Sequence, residues 1–246
     1  MAAGPEQPVV QAPGGWRRLL PGLLLVLCAF GAQAVEIQPI RLQVAAGAQA
    51  GDLSVRNPRA EVLRLQVDLM HWRQGPDGDV LEPATDALVV PRMLSLEPGA
   101  TQRLRVGLTA GPRDRERAYR LRIRELPQPA PPDFVGVRTI MEFSVPIFFD
   151  GAARGAPPEL AWQASRDGTG AVLLQARNDG ARHARFSRVR LLDSAGNELA
   201  RSERPHYVLP GASTRWRLPV ESAVPDTLRL GLSEGGNERQ TALRLE

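Results

Sequence analysis

The sequence predicts an all-β protein built from two β-sandwich domains. Short segments in which apolar and polar side chains alternate recur along most of the chain. Clusters of Gly, Pro, Asn and Asp separate these segments at intervals of about 8–12 residues. No stretch keeps apolar side chains at the 3.6-residue spacing of an amphipathic helix for more than two turns. This combination is typical of β-sandwiches.

Residues 1–34 are predicted to be a signal peptide that is removed on export. Two arginines precede the apolar run Leu19–Phe30, which is too short to span a bilayer. The small side chains of Ala32 and Ala34 then form the small-x-small pattern that signal peptidase cleaves. We expect the mature chain to begin at Val35.

Cysteine content and charge exclude several function classes. The only cysteine, Cys28, lies in the predicted signal peptide, so the mature chain has none. Disulfides, thiol nucleophiles and zinc–thiolate sites are therefore excluded. The net charge is +4, but the arginines are scattered among strand-like segments and form no single patch. We therefore expect an acidic docking partner and no nucleic acid.

A Gly- and Pro-rich stretch divides the mature chain. We predict a first domain at 35–150, a linker at 151–158 and a second domain at 159–246. Turn residues separate the strands, as in Gly75-Pro76-Asp77-Gly78. The strands predicted in the first domain are 35–44, 52–56, 63–73, 88–90, 93–96, 102–108, 119–126 and 137–149. Those in the second are 160–164, 171–177, 184–192, 206–209, 213–218, 227–232 and 241–245.

The strand predicted at 137–149 is longer than the usual 5–6 residues or so. One face carries the row Val137, Thr139, Met141, Phe143, Val145 and Ile147. Pro146 cannot donate a backbone hydrogen bond, which favours an edge position. A long apolar edge promotes aggregation unless it pairs with another chain by strand addition. The alternative is an ordinary core strand with one buried face.

The sequence lacks the motifs of common catalytic sites. Its three histidines are far apart and share no metal-ligand spacing. No phosphate-loop or H-E-x-x-H motif is present. A glycosidase needs only two carboxylates, but the low aromatic content of 5% offers no carbohydrate platform. We predict no enzymatic activity, no metal, no cofactor and no small-molecule substrate.

The order of segments resembles the periplasmic pilus-assembly chaperones of the chaperone–usher pathway. The pieces that carry the resemblance are PIRLQV, LEPGATQRLRV, YRLRIRELP and VRTIMEFSVPIFF in the first half, with VLLQARNDGARHARFSRVRL and YVLPGASTRWRLP in the second. The resemblance covers nearly all of the mature chain. SVPIFF and YVLPGASTRW resemble the branch that serves spore-coat-U-like subunits. The resemblance implies two immunoglobulin-like sandwiches in an L-shaped arrangement, a periplasmic location and no catalytic activity. The implied partners are a pilus subunit whose own sandwich lacks its last strand and an outer-membrane usher.

The resemblance also implies roles for particular residues. The long strand would fill the gap in the subunit, and its donor residues would be Val137, Thr139, Met141, Phe143 and Val145. Arg41 matches the cleft arginine that anchors the C-terminal carboxylate of the subunit, for which a planar guanidinium is well suited. The family's second anchor, a lysine, falls on Pro146 here. Arg105 and Arg122 are the candidates to replace it.

A further implied site joins the two domains. Glu116 matches an acidic residue that braces the domains by salt bridges. Its arginine partner in the family falls on Asp150, and Arg154 is the candidate replacement. Two questions stay open from the sequence: whether the free protein self-associates to cover its edge, and whether the chain is instead a secreted two-domain immunoglobulin-like binding or structural module.

Overall fold

The computed structural model describes residues 34–246 except 76, 110, 112–113, 128–135, 138, 153–155, 222 and 246. The predicted signal peptide, apart from Ala34, lies outside these residues. The described residues form nineteen β-strands and no α-helix. They therefore include no helix that is long and apolar enough to cross a membrane. The all-β prediction is confirmed.

The strands in residues 36–149 form two sheets. They are β1 (Glu36–Gln38), β2 (Leu42–Val44), β3 (Ala50–Arg56), β4 (Leu63–Gly75), β5 (Gly78–Pro83), β6 (Ala87–Val90), β7 (Met93–Leu96), β8 (Thr101–Leu108), β9 (Arg117–Glu125) and β10 (Glu142–Phe149). One sheet has the order β1-β3-β8-β6. The other has the order β2-β10-β9-β4-β5, and β7 also pairs with β4.

The strands in residues 160–244 pair among themselves. They are β11 (Leu160–Arg166), β12 (Val172–Asn178), β13 (Ala184–Phe186), β14 (Arg188–Leu192), β15 (Glu198–Ser202), β16 (His206–Val208), β17 (Ser213–Leu218), β18 (Thr227–Glu234) and β19 (Asn237–Arg244). Their sheets have the orders β11-β12-β17, β13-β16 and β15-β14-β18-β19.

Each half has its own hydrophobic core, as period-2 patterning requires. In β4, Leu63, Leu65 and Val67 are buried and alternate with exposed or half-buried polar residues. In β12, Val172 and Leu174 do the same for the second core. A third cluster draws on both halves and joins the two domains; its members are Trp72, Ala118, Phe148, Tyr207, Leu209 and Ala212.

Buried asparagines fix one corner of each domain. Asn57 has no exposed surface, and its Nδ2 donates to the carbonyl oxygens of Glu61 and Leu96. In the second domain the Nδ2 of Asn178 donates in the same way to the carbonyls of Arg182 and Val208. Each amide thereby holds a loop at the end of a strand against its own core.

Two predicted strands are split in the structure. The segment predicted as a single strand at 184–192 forms β13 and β14, which lie in different sheets. The segment predicted as a single strand at 35–44 forms β1, which pairs with β3, and β2, which pairs in parallel with β10 in the other sheet. Pro39 lies between them and cannot continue a backbone ladder, so the chain changes sheets there. The structure also adds β5 and β15, which the sequence analysis did not predict.

Candidate functional site

The outer edge of β10 is the first component of the candidate site. β10 pairs with β9 over its whole length, but β2 pairs only with Ile147–Phe149. The backbone N–H of Glu125 donates to the carbonyl of Met141 over 2.9 Å, so odd-numbered residues of β10 face β9. Because antiparallel pairs alternate, the N–H and C=O groups of Glu142 and Ser144 point to the unpaired side.

Pro146 fits this edge. It occupies an even-numbered position, so its backbone nitrogen faces away from β9 and its missing N–H breaks no hydrogen bond to that strand. The proline therefore lies at an edge, as its sequence position predicts. β2 covers the edge from the next residue onward.

The predicted donor row divides into three parts. Val137 is 94% exposed, and Thr139 is also exposed. Met141 and Phe143 are half-buried, and Phe143 packs against the core of its own domain. Val145 is buried in that core. The row thus passes from solvent into the interior as it approaches β2.

Two predictions for this segment are corrected by the structure. The strand begins at Glu142 and not at Val137, because β9 ends at Glu125 and no strand among the described residues pairs with residues 137 and 139–141. Val145 has only 5% of its surface exposed and packs in its own domain, which contradicts its prediction as a donor residue. Its side chain has no free face to insert into a partner.

Ion pairs hold the start of β10 on β9. The Nε of Arg122 lies 2.7 Å from one carboxylate oxygen of Glu142, and the Nε of Arg124 lies 3.2 Å from the other. The hydrogen bond from Arg122 keeps the pKa of the Glu142 carboxyl below its usual value. Arg122, a candidate for the second anchor cation, is therefore already bound to an acid.

A groove of about 390 Å³ lies beside the end of this edge and contains Arg41. The parallel register pairs Leu42 with Ile147, so Arg41 comes level with Pro146. Both domains contribute to the groove. Its lining residues are Arg41, Gln43, Ala156, Pro157, Pro158, Arg182, His183, Arg185, Glu234 and Gly235.

The cations of this groove differ in their partners. Among the described residues, no carboxylate lies within 4.0 Å of Arg41 or Arg185. The Nε of Arg185 donates instead to the hydroxyl of Tyr207 over 3.2 Å. Arg182 lies 3.9 Å from Asp150. The groove therefore contains two guanidinium groups whose charge is not balanced by an ion pair.

Arg105 does not belong to this groove. It lies on β8, in the sheet that contains neither β2 nor β10, and its guanidinium is 3.6 Å from Asp52. This position contradicts its prediction as an anchor residue. The alternating pattern predicted the strand of Arg105 correctly but could not say which sheet the strand joins.

Glu116 connects the two domains through His183. Its Oε1 accepts hydrogen bonds from the backbone N–H of His183 over 3.1 Å and from Nδ1 of the same residue over 2.7 Å. Its Oε2 accepts from Nε2 of Gln43 over 3.2 Å, and its backbone N–H donates to the carbonyl of Ala181. The Glu116 side chain has no exposed surface. The partner of Glu116 is thus a histidine, whereas the resemblance implied an arginine.

The other predicted brace residue cannot be placed. Arg154 lies outside the described residues. Asp150 accepts a hydrogen bond from Gln43 and lies near Arg182.

Aromatic side chains fill the space between the domains. The ring of His183 stacks on Phe148 with a centroid distance of 3.8 Å. Tyr207 packs edge-on against Trp72 at 5.2 Å. The guanidinium of Arg120 lies 3.7 Å from the centre of the Trp72 ring, and burial lowers the pKa of this arginine. This cluster could not be predicted from the sequence, because its members come from five separate strands and loops.

The described residues show no metal site. No group of three or more His, Cys, Asp or Glu side chains in this part of the chain is arranged to hold an ion. The candidate site consists of an open strand edge, exposed apolar residues and a basic groove. Such a site is suited to bind a polypeptide segment with a negative terminus.

Comparison with known proteins agrees with this architecture. Residues 34–152 match the family model of the pili and flagellar-assembly chaperones, PapD N-terminal domain. No curated protein matches the chain significantly.

Solved structures share the fold at low sequence identity. The chain is similar to one from the CsuC–CsuE chaperone–tip adhesion subunit complex of Acinetobacter baumannii, with 20% identity and a TM-score of 0.67 over 87% of this chain and 100% of that one. A second match is from the SafA pilin–SafB chaperone complex of Salmonella enterica, with 20% identity and a TM-score of 0.58 over 86% and 96%. A third is the Escherichia coli chaperone DraB, with 20% identity and a TM-score of 0.57 over 85% and 96%. These matches confirm the two-domain β-sandwich fold.

Proposed function

The chain belongs to the pili and flagellar-assembly chaperone family, and we propose that it binds and caps incomplete pilus subunits by donating the edge of β10. The proposal includes no catalytic step. It favours a chaperone over the secreted binding module, because the family match covers the whole domain that carries the open edge.

The unpaired side of β10 is the observation on which the proposal depends. A subunit that lacks its last strand exposes unpaired backbone groups and an apolar groove, and it would aggregate. The outward backbone groups of Glu142 and Ser144 supply a ladder for such a subunit. The exposed residues that lead into this edge, Val137 and Thr139, together with Met141 and Phe143, supply the side chains.

The charge of the groove favours one direction for the bound strand. A subunit strand on the free edge must stop near Pro146, because β2 occupies the edge beyond it. A strand parallel to β10 would bring its C-terminal carboxylate to Arg41. An antiparallel strand would bring a positively charged or neutral N-terminal segment to the same arginine. We therefore propose parallel pairing with the carboxylate at Arg41.

The cellular setting follows from the same proposal. We propose that the chain acts in the periplasm after removal of residues 1–34, and that it delivers the subunit to an outer-membrane usher. The domain boundaries at 35–150, 151–158 and 159–246 are also proposed. They are supported by strand pairing, because β1–β10 pair within residues 36–149 and β11–β19 within residues 160–244. Service to spore-coat-U-like subunits stays a prediction.

Capture of a subunit by edge variants tests the proposal. The tagged mature protein is isolated from the periplasm of its own cells as wild type, Val137→Glu and Met141→Glu. We expect the wild type to bring down a small β-rich secreted protein at about equal stoichiometry. Each variant should lose most of this protein, because a carboxylate inserted into an apolar groove is costly to desolvate.

Val80→Glu is the matched control. Val80 is 44% exposed on β5, at the far end of the same sheet, so its replacement adds the same charge away from the edge. It should capture the subunit as the wild type does. Normal capture by Val137→Glu and Met141→Glu would refute strand donation at β10. Thermal melting of each variant verifies that it is folded.

A further inference from the structure

We propose that Arg185, in the second domain, supplies the second cation that holds the terminal carboxylate of the bound strand. This inference rests on the proposed function. Pro146, which comes level with Arg41 at the end of the free edge, cannot carry a charge. Arg185 lines the same groove as Arg41.

The alternation of β13 directs Arg185 toward the groove. Ala184 and Phe186 are buried in the core of the second domain. Because side chains alternate along a strand, Arg185 and the preceding His183 lie on the opposite side. His183 is fixed there by Glu116 of the first domain, so the start of β13 is held against the groove.

The hydrogen bonds of Arg185 leave its charge available. The Nε group is held by the neutral hydroxyl of Tyr207, which orients the guanidinium without neutralising it. Arg182 is the poorer candidate because it already lies 3.9 Å from Asp150. Glu234 also lines the groove but lies beyond 4.0 Å from both Arg41 and Arg185. Two unbalanced guanidiniums in one groove can share a carboxylate.

The proposed clamp crosses the domain boundary. Arg41 comes from the segment before β2 in the first domain, and Arg185 comes from β13 in the second. A carboxylate bound between them would contact both domains. The relative placement of the domains would then contribute to subunit affinity through the Glu116–His183 contact.

A pair of peptides tests the clamp. Both peptides copy the C-terminal strand that is present in the subunit recovered with the wild-type protein. One peptide ends in a free carboxylate and the other in a carboxamide. Binding is measured by fluorescence anisotropy at low salt. The wild type should prefer the carboxylate peptide by about tenfold or more, because charge-assisted hydrogen bonds are lost with the carboxamide.

Arg185→Gln should remove much of this preference. The variant should bind the carboxylate peptide roughly tenfold more weakly than the wild type does. Its affinity for the carboxamide peptide should stay within about twofold of the wild-type value. Arg185→Lys keeps the charge and should recover part of the affinity. The control Arg215→Gln changes an exposed arginine on β17 that bonds to Gln175 and should behave as the wild type.

The outcomes separate the two proposals. A wild-type protein that binds neither peptide would overturn strand donation itself. A wild type that prefers the carboxylate while Arg185→Gln keeps the same preference would overturn only the role of Arg185. If Arg185→Gln lowered the affinity for both peptides equally, the role of Arg185 would also be overturned. The arginine would then act on the strand and not on the carboxylate.

Discussion

Glu116 offers the sharpest test of how the two domains are held together. Its carboxylate is fully buried and accepts two hydrogen bonds from His183 of the other domain. Glu116→Ala leaves both donors in the interface without an acceptor. At about 1–3 kcal/mol for each buried donor that is left unpaired, the free energy of unfolding should fall by about 2–6 kcal/mol. Gln43, the third donor, lies in the groove and can bond to water.

Urea unfolding of the mature protein measures this loss. Tryptophan fluorescence is a suitable probe because Trp72 lies in the interface against Phe148 and Tyr207. The matched control is Glu203→Ala, which removes a carboxylate that is 54% exposed and pairs with Arg188. A surface pair of this kind contributes at most about 1 kcal/mol. If Glu116→Ala costs no more than Glu203→Ala, the account of the domain interface is refuted.

Two further predictions concern the second core and the donor row. Burial lowers the pKa of His206, so the unfolded chain binds this proton more readily, and the stabilising contribution of the neutral ring is lost as pH falls through about 6.5. Unfolding measured from pH 8 to pH 5 should therefore show a steeper loss of stability for the wild type than for His206→Gln, and equal slopes would contradict this. Val145→Ala should reduce the free energy of unfolding by about 2 kcal/mol, since it removes two buried methyl groups, whereas Val137→Ala should leave it unchanged. Equal effects of the two substitutions in urea unfolding would contradict the division of the row into buried and exposed parts.

Strand positions could be predicted because period-2 alternation is a local property. The segments around Leu65, Leu104 and Leu174 alternate clearly, and each is a strand in the structure. Strand ends were less certain, because the alternation from Val137 continues through residues that pair with no strand in the part of the chain that the structure describes. Alternation shows which side chains can share a face but not where a strand finds a partner.

The site could be predicted only as far as the resemblance reached. Arg41 and Glu116 are in the groove and the interface that the resemblance implied. His183 and Arg185 were not predicted, because nothing in the sequence brings β13 close to β2. One signal was available: HAR after the Asn-Asp-Gly turn places His183 and Arg185 on one face of a strand.

Hydrogen exchange at β10 tests the central claim most directly. In the free protein the amides of Phe143 and Val145 face β9 and should exchange slowly, whereas those of Glu142 and Ser144 face the open edge and should exchange quickly. In the complex with the recovered subunit, the account predicts that the amides of Glu142 and Ser144 become protected. Unchanged exchange at these two amides in a stable complex would contradict strand donation at this edge.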